Sequence, residues 1–248
     1  MDEPLRSAMV AAVSGVGSAG DGRGMQRRTT AIVALAHTVQ PDGAPRLAFV
    51  HDKDSSRVAA FRVLRHKLRE VGSPRIMAVT SPNPGEGKTA CAIDLAMAFA
   101  EDGHAKVLLV EANFRRPGMA AALGFSAPAC FCAQMVAHVE TPSAPWLVAS
   151  AFFRNLHVLS VDPDGGGAQV LHMPAFRLAM DQLRAADYQC IILDCCHVLG
   201  SAEVHVVEGH VDGVLFTAMA RKTSAASLRQ AVDYLSPANT LGVVLVNG

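Results

Sequence analysis

The stretch that decides the fold reads Ser81-Pro82-Asn83-Pro84-Gly85-Glu86-Gly87-Lys88-Thr89. It follows an aliphatic run at residues 75–80, which predicts a buried strand, and it precedes residues 88–100, which predict a helix. Glycines in such a position let successive backbone N–H groups converge on phosphate oxygens, and the helix adds its positive N-terminal dipole. The stretch therefore predicts a phosphate-binding loop between a strand and a helix.

Two residues of this loop carry the chemistry expected of it. Lys88 is expected to bridge the β- and γ-phosphates of a nucleotide, and the Thr89 hydroxyl is expected to bind Mg²⁺. The other residues expected to hold the nucleotide are Pro84, Gly85, Glu86, Gly87 and Ala90. Pro82 stands where the common motif has its first glycine. A loop that only caps a helix is the alternative, and the order of strand, loop, Gly-Lys-Thr and helix argues against it.

Beyond the loop, aliphatic runs alternate with helical segments. Strands are predicted at residues 106–110, 156–161, 190–193, 214–219 and 241–246, and helices at 175–186 and 224–235. Residues 118–145 are predicted to be irregular or partly helical. This alternation predicts an α/β fold, a doubly wound and mostly parallel sheet with helices on both faces.

The chain before the loop is predicted to contain an arm and the first part of the domain. Residues 1–28 are rich in Gly, Ser and Ala, which predicts a flexible arm and a nucleotide-binding domain over 29–248. Apolar runs at 31–36 and 47–50, separated by Pro41-Asp42-Gly43, predict a hairpin or two edge strands. Residues 57–70 predict an amphipathic basic helix, whose charged side is expected in solvent or at a subunit contact.

Composition excludes several classes of partner and site. Lys plus Arg and Asp plus Glu number 22 each, so no net charge attracts nucleic acid or an acidic membrane surface. The longest apolar run near the start is far shorter than the roughly 20 residues of a membrane helix. None of the six cysteines forms a C-x-x-C pair, and neighbouring strand residues Cys195 and Cys196 face opposite sides. We therefore expect reduced thiols and a cytoplasmic location, without a transmembrane segment.

Two predicted strands end in residues suited to a metal site. The strand at 106–110 leads into Glu111 and Asn113, and the strand at 190–193 leads into Asp194. Ligand groups gather at the carboxyl ends of parallel strands, so all three residues are expected to face the phosphate loop. Asp194 and Asn113 are candidate Mg²⁺ ligands beside Thr89, and Lys88, Glu111 and Asp194 are the candidate catalytic residues. A lone acid after a strand is usually a turn residue, but the phosphate loop favours the functional interpretation here.

These segments resemble the bacterial tyrosine kinases of capsule and exopolysaccharide synthesis, within the P-loop ATPase class that includes MinD and ParA. The resemblance covers about residues 47–248. It includes the segments Phe61-Arg62-Val63-Leu64-Arg65, Pro84 to Thr89, Val107 to Pro117, Tyr188 to Asp194, Val211-Asp212-Gly213-Val214 and Leu241 to Asn247. It implies ATP and Mg²⁺ as cofactors, a role for Asn247 in recognising adenine, and subunit contacts through the 57–70 helix. It further implies a membrane polysaccharide copolymerase or adaptor as partner, which recruits the chain to the inner face of the membrane.

Departures from the family pattern leave three hypotheses open. Glu111 and Asn113 replace two Asp of the second motif, and Cys195-Cys196-His197 replaces Thr-Pro-Pro. Only two tyrosines occur, whereas family members phosphorylate a tyrosine-rich tail. The chain is thus predicted to be either a kinase-like domain with weak phosphoryl transfer or an inactive nucleotide-gated regulator. A MinD- or ParA-like positioning ATPase is the more distant alternative, because Asn83 stands where those proteins carry a second lysine.

Overall fold

The computed structural model describes residues 30–36, 47–125, 128–150, 152–163, 173–235 and 239–247. Among these residues, one sheet of eight strands has the order β1-β4-β5-β3-β6-β2-β7-β8. The strands are β1 (Ile32–Ala36), β2 (Ile76–Thr80), β3 (Val107–Ala112), β4 (Trp146–Ser150), β5 (Leu156–Leu159), β6 (Cys190–Cys195), β7 (Gly213–Met219) and β8 (Thr240–Val246). All neighbouring strands pair in parallel except β4 with β5. The predicted doubly wound, mostly parallel sheet is confirmed.

Helices pack on both faces of this sheet. They are α1 (Ala48–His51), α2 (Ser56–Glu70), α3 (Lys88–Ala100), α4 (Met119–Leu123), α5 (Phe131–Glu140), α6 (Met173–Ala185), α7 (Glu203–Glu208) and α8 (Ala225–Tyr234). In β2, Ile76 packs into the core beneath α5 to α8, whereas Met77 packs into the core beneath α1 to α4. Successive strand residues point to opposite faces, so a strand buried on both faces reads as a continuous apolar run. This explains why β2, β3 and β6 were recognisable in the sequence.

One prediction upstream of the phosphate loop is wrong, and one strand downstream of it was not predicted. The apolar run at 47–50 forms the short helix α1 rather than a strand, because Leu47 and Phe49 bury against α2 and α3. The region 118–145 is partly helical, as predicted, with α4 and α5 in it, and it is followed by the strand β4, which was not predicted. The predicted arm at 1–28 and the turn at 41–43 lie outside the described residues.

Helix α2 occupies the predicted position, but its basic side chains do not simply lie in solvent. Arg57 Nη2 lies 2.6 Å from Asp94 Oδ2, and Arg62 Nε donates to Glu101 Oε2 at 2.9 Å. Arg65 and Arg69 both pair with Asp102. These residues tie α2 to the flank of α3, the helix that follows the phosphate loop. In the described part of the chain, no helix is both long enough and apolar enough to cross a membrane.

Candidate nucleotide-binding site

Three loops at the carboxyl ends of β2, β3 and β6 surround a cavity of about 450 Å³. The loop after β2 contributes Pro84, Gly85, Gly87, Lys88, Thr89 and Ala90. The other two loops contribute Asn113, Arg115, Arg116, Cys196, His197, Gly200 and Ser201. Strands β6, β2 and β3 lie close together in the sheet although they are distant in sequence. The topology therefore brings most of the predicted site residues around one opening, as expected for a parallel sheet.

The phosphate loop has the backbone that its glycines predict. Gly85 and Gly87 adopt φ values of 70° and 82°, in the left-handed region that side-chain-bearing residues rarely occupy. Gly87 caps α3, whose 13 residues begin at Lys88, so the first N–H groups of this helix lie at the cavity. Lys88 is 8% exposed and its Nζ donates to Ser81 Oγ at 3.2 Å. Burial lowers the pKa of Lys88, while Asp194 and Glu86 oppose that shift.

Glu86 belongs to the loop but its side chain supports the backbone rather than lining the cavity. It is 1% exposed, and its carboxylate accepts hydrogen bonds from Asn83 N at 2.7 Å and Asn83 Nδ2 at 3.2 Å. A buried carboxylate that accepts several donors rigidifies the segment that carries them. Its predicted role in holding the nucleotide is thus limited to shaping the loop.

Asp194 lies beneath this loop with an unsatisfied carboxylate. It is fully buried; within the described residues neither carboxylate oxygen makes a hydrogen bond of ordinary geometry, and the Thr89 hydroxyl is close enough to favour the charged form. Burial raises the pKa of Asp194 to about 7; the Thr89 hydroxyl lowers it, Glu111 raises it, and Lys88 lowers it. A carboxylate and a hydroxyl are hard oxygen donors of the kind that Mg²⁺ prefers. The residues present therefore fit the predicted magnesium ion.

Glu111 is placed beside Asp194 but its carboxylate is already occupied. The two residues are register partners in the β3–β6 pair. Glu111 Oε1 accepts from Gly118 N at 2.6 Å and Met119 N at 2.8 Å, and Oε2 accepts from Val161 N at 2.8 Å. Burial raises the pKa of Glu111, and these three backbone donors offset part of the increase. In this structure Glu111 joins the loops after β3 and β5 and does not line the cavity.

Replacing Glu111 with Gln should lower the free energy of unfolding by about 2–3 kcal/mol. The amide keeps only one acceptor oxygen, so an NH₂ group would face a backbone N–H donor in a buried site. Urea unfolding measures the change. Glu140→Gln, at the exposed end of α5, is the matched control and should change stability by no more than about 0.5 kcal/mol. Equal stability of Glu111→Gln and the wild type would show that the three contacts do not hold these loops.

The far side of the cavity is basic. Asn113 Nδ2 donates to Arg116 O at 2.9 Å, and no described residue donates to the Asn113 side-chain carbonyl, which leaves that oxygen available. Arg115 pairs with Glu203, whereas no described residue pairs with the Arg116 guanidinium. Burial lowers the pKa of His197, and the nearby Lys88 and Arg116 add to the decrease. The mouth of the cavity thus favours an anionic ligand.

Some site residues differ from expectation or were missed. Asn247 is exposed and does not line the cavity. Its neighbour Val246 nevertheless packs close to Gly87 of the phosphate loop: a Cβ added to Gly87 would lie 3.3 Å from the Val246 side chain. The role of Asn247 in recognising adenine stays a prediction. Lys222 and Thr223, which contact the phosphate loop from the turn after β7, were not predicted to belong to the site. A contact across some 137 residues leaves no local sequence signal.

Comparison with known proteins adds a relative in sequence and neighbours in fold. No protein-family model matches the chain. It is 24% identical over 190 residues to tyrosine-protein kinase YwqD of Bacillus subtilis (strain 168), a match that spans 75% of this chain and 78% of YwqD.

Two solved structures share most of the fold. The chimeric protein CapA2B2 superposes with a TM-score of 0.70 at 19% identity, over 90% of this chain and 95% of its own. The kinase domain of the Escherichia coli tyrosine kinase ETK gives a TM-score of 0.66 at 20% identity, over 83% and 81% of the two chains. The resemblance to bacterial tyrosine kinases is therefore confirmed, in sequence by YwqD and in fold by the ETK kinase domain.

Proposed function

We propose that the chain binds ATP and Mg²⁺ at the phosphate loop and acts as a tyrosine-kinase-like domain with weak phosphoryl transfer. The observation that carries this proposal is the fully buried Asp194, which lies near the Thr89 hydroxyl at the start of α3 and whose carboxylate oxygens make no ordinary hydrogen bond to any described residue. Uncompensated burial of a carboxylate costs stability, so a bound cation is the simplest account of its presence. Mg²⁺, when bound, supplies positive charge that neutralises the phosphates.

Each residue of the site has a distinct role in this proposal. The amides of the phosphate loop and the first turn of α3 cradle the phosphate oxygens. The Lys88 ammonium binds the β- and γ-phosphates, and Thr89, Asp194 and the Asn113 carbonyl hold Mg²⁺. Arg116 lines the basic side of the cavity, where it would face an anionic phosphate. A tyrosine hydroxyl entering from this side would bond to the γ-phosphorus as the bond from that phosphorus to the bridging oxygen breaks, which releases ADP, and the hydroxyl proton would leave to solvent.

A second candidate function, an inactive nucleotide-gated regulator, is favoured by the state of the second motif. Both oxygens of Glu111 are held by backbone amides, and Asn113 carries no charge. Of the two described acids at the ends of β3 and β6, Asp194 alone then offers a carboxylate to the metal. A positioning ATPase of the MinD or ParA kind is disfavoured, because Asn83 binds Glu86 within the loop where those proteins use a second lysine.

The two leading candidates differ in phosphoryl transfer, and restoring an acid tests the difference. With ATP, Mg²⁺ and a tyrosine-rich acceptor peptide, we expect slow phosphotyrosine formation that Asn113→Asp accelerates about tenfold through better metal binding. Gln230→Glu, which adds a charge on the exposed face of α8, should leave the rate unchanged. ATP binding without phosphotyrosine in any variant would instead establish the regulator.

The proposed setting is the cytoplasm, at the inner face of a membrane and in contact with a polysaccharide copolymerase or adaptor linked to exopolysaccharide or capsule synthesis or export.

We also propose that copies of the chain associate through α2. Arg62 and Arg65, which the resemblance assigns to subunit contacts, already pair with α3. The remaining exposed stripe of α2 includes Ala59 and Val63, so this stripe is the surface that such a contact would use. Val63→Glu should then abolish self-association in sedimentation experiments.

A further inference from the structure

The turn after β7, at residues 219–223, contacts the phosphate loop without lining the cavity. Thr223 Oγ1 donates to Glu86 Oε1 at 2.7 Å, and Lys222 Nζ donates to Gly85 O at 2.8 Å. Neither Lys222 nor Thr223 lines the cavity. The phosphate loop is therefore held from outside at two neighbouring residues.

The Thr223 hydroxyl links two segments of the chain, the turn after β7 and the phosphate loop. Thr223 Oγ1 accepts from Met219 N at 2.8 Å, which closes the turn, and it donates to the buried Glu86 carboxylate. The same carboxylate accepts from Asn83 N. A hydroxyl that both donates and accepts transmits the position of the turn to the loop. Removing it would leave Glu86 short of one donor where water has little access.

The Lys222 contact fixes the orientation of a peptide plane. The C=O and N–H groups of neighbouring residues in a trans peptide point in opposite directions. Because Lys222 holds Gly85 O, the N–H of Glu86 in the same peptide is directed away from Lys222. Backbone N–H groups aimed in this way are what a phosphate loop uses to bind oxygens. A Cβ on Gly85 would lie 3.0 Å from Lys222 Nζ, so the glycine also makes room for this contact.

We propose that Thr223 and Lys222 are positioning residues of the phosphate loop, which hold its N–H groups ready for a nucleotide phosphate without touching the nucleotide. This inference rests on the proposed function, since it assigns the two residues to the same ATP site.

A pair of Thr223 variants tests the hydroxyl. Thr223→Val keeps the shape and removes both hydrogen bonds, so the dissociation constant for ATP with Mg²⁺ should rise about tenfold. Thr223→Ser keeps the hydroxyl and should stay within about twofold of the wild type. In the unliganded protein, amide hydrogen exchange at residues 83–88 should be faster in Thr223→Val, whereas exchange in β2 and β3 should not change.

A second variant covers the case in which Thr223→Val does not fold. Lys222→Met should raise the dissociation constant about fivefold, and Lys222→Arg should restore part of the affinity. Arg229→Met removes a comparable exposed charge from α8 without contact to the loop, and its affinity should equal that of the wild type.

The outcomes separate this inference from the proposed function. Wild-type affinity and unchanged exchange at 83–88 in Thr223→Val and Lys222→Met would overturn the inference and leave the proposed ATP site standing. Faster exchange throughout the sheet would show a general structural role and would also overturn it. A wild-type chain that binds no ATP would overturn both.

Discussion

Replacing Lys88 with Met should weaken ATP binding about 100-fold while the protein stays folded. The Lys88 side chain is buried at the cavity, and its amine has Ser81 Oγ as a partner at 3.2 Å. Burial lowers the pKa of Lys88, which means that the charged amine is held at a cost in the unliganded protein. Methionine has a similar length and no charge to desolvate. We therefore expect the melting temperature of the variant to equal or exceed that of the wild type.

Calorimetric titration with ATP and Mg²⁺, together with thermal unfolding, measures both effects. Lys106→Met is the control. Lys106 lies just before β3, at the amino end of this strand and therefore away from the cavity, and its Nζ pairs with Asp187 at 2.6 Å. The ATP affinity of this variant should be that of the wild type. Unchanged affinity in Lys88→Met would mean that the phosphates lie elsewhere.

Replacing Asp194 with Asn should stabilise the unliganded protein at neutral pH and remove the effect of Mg²⁺ on ATP binding. The pKa of Asp194 is raised from 3.8 to about 7, chiefly by burial. An acid with a raised folded-state pKa binds more protons in the folded than in the unfolded state between these values. Burial of Asp194 therefore costs no stability below about pH 4, and the free energy of unfolding falls as the pH rises from there through about 7. At pH 8 the gain from the variant should be about 2–4 kcal/mol.

Urea unfolding at pH 4 and pH 8 in the presence of a chelator tests this expectation. The wild type should lose more stability than Asp194→Asn over this interval, because both proteins share every other titrating group. Titration of ATP with and without Mg²⁺ should show a difference in the wild type alone. Parallel pH dependence of the two proteins would contradict the account of an unpaired carboxylate that awaits a cation.

The strand, loop and helix that decide the fold were predictable because their signals are local. β2 is buried on both faces, the loop glycines adopt positive φ, and α3 begins at Lys88 as predicted. The prediction of a strand at 47–50 was wrong for an equally physical reason. Four apolar residues cannot distinguish a short strand from a helix, and packing of Phe49 decided for the helix.

The support around the site could not be predicted in the same way. The donors to Glu111 come from residues 118, 119 and 161, and the hydroxyl that binds Glu86 comes from residue 223. No spacing rule links a strand-end acid to amides in other loops. The sequence indicated which residues meet at the carboxyl edge of the sheet, whereas the side-chain contacts required the folded chain.

Titration of the purified chain with ATP, in Mg²⁺ and then in a chelator, tests the central claim most directly. We predict saturable binding of one nucleotide per chain that weakens markedly when Mg²⁺ is removed. Absence of binding up to about 1 mM ATP, where specific affinities become negligible, would contradict the claim that residues 81–89 form a working nucleotide site.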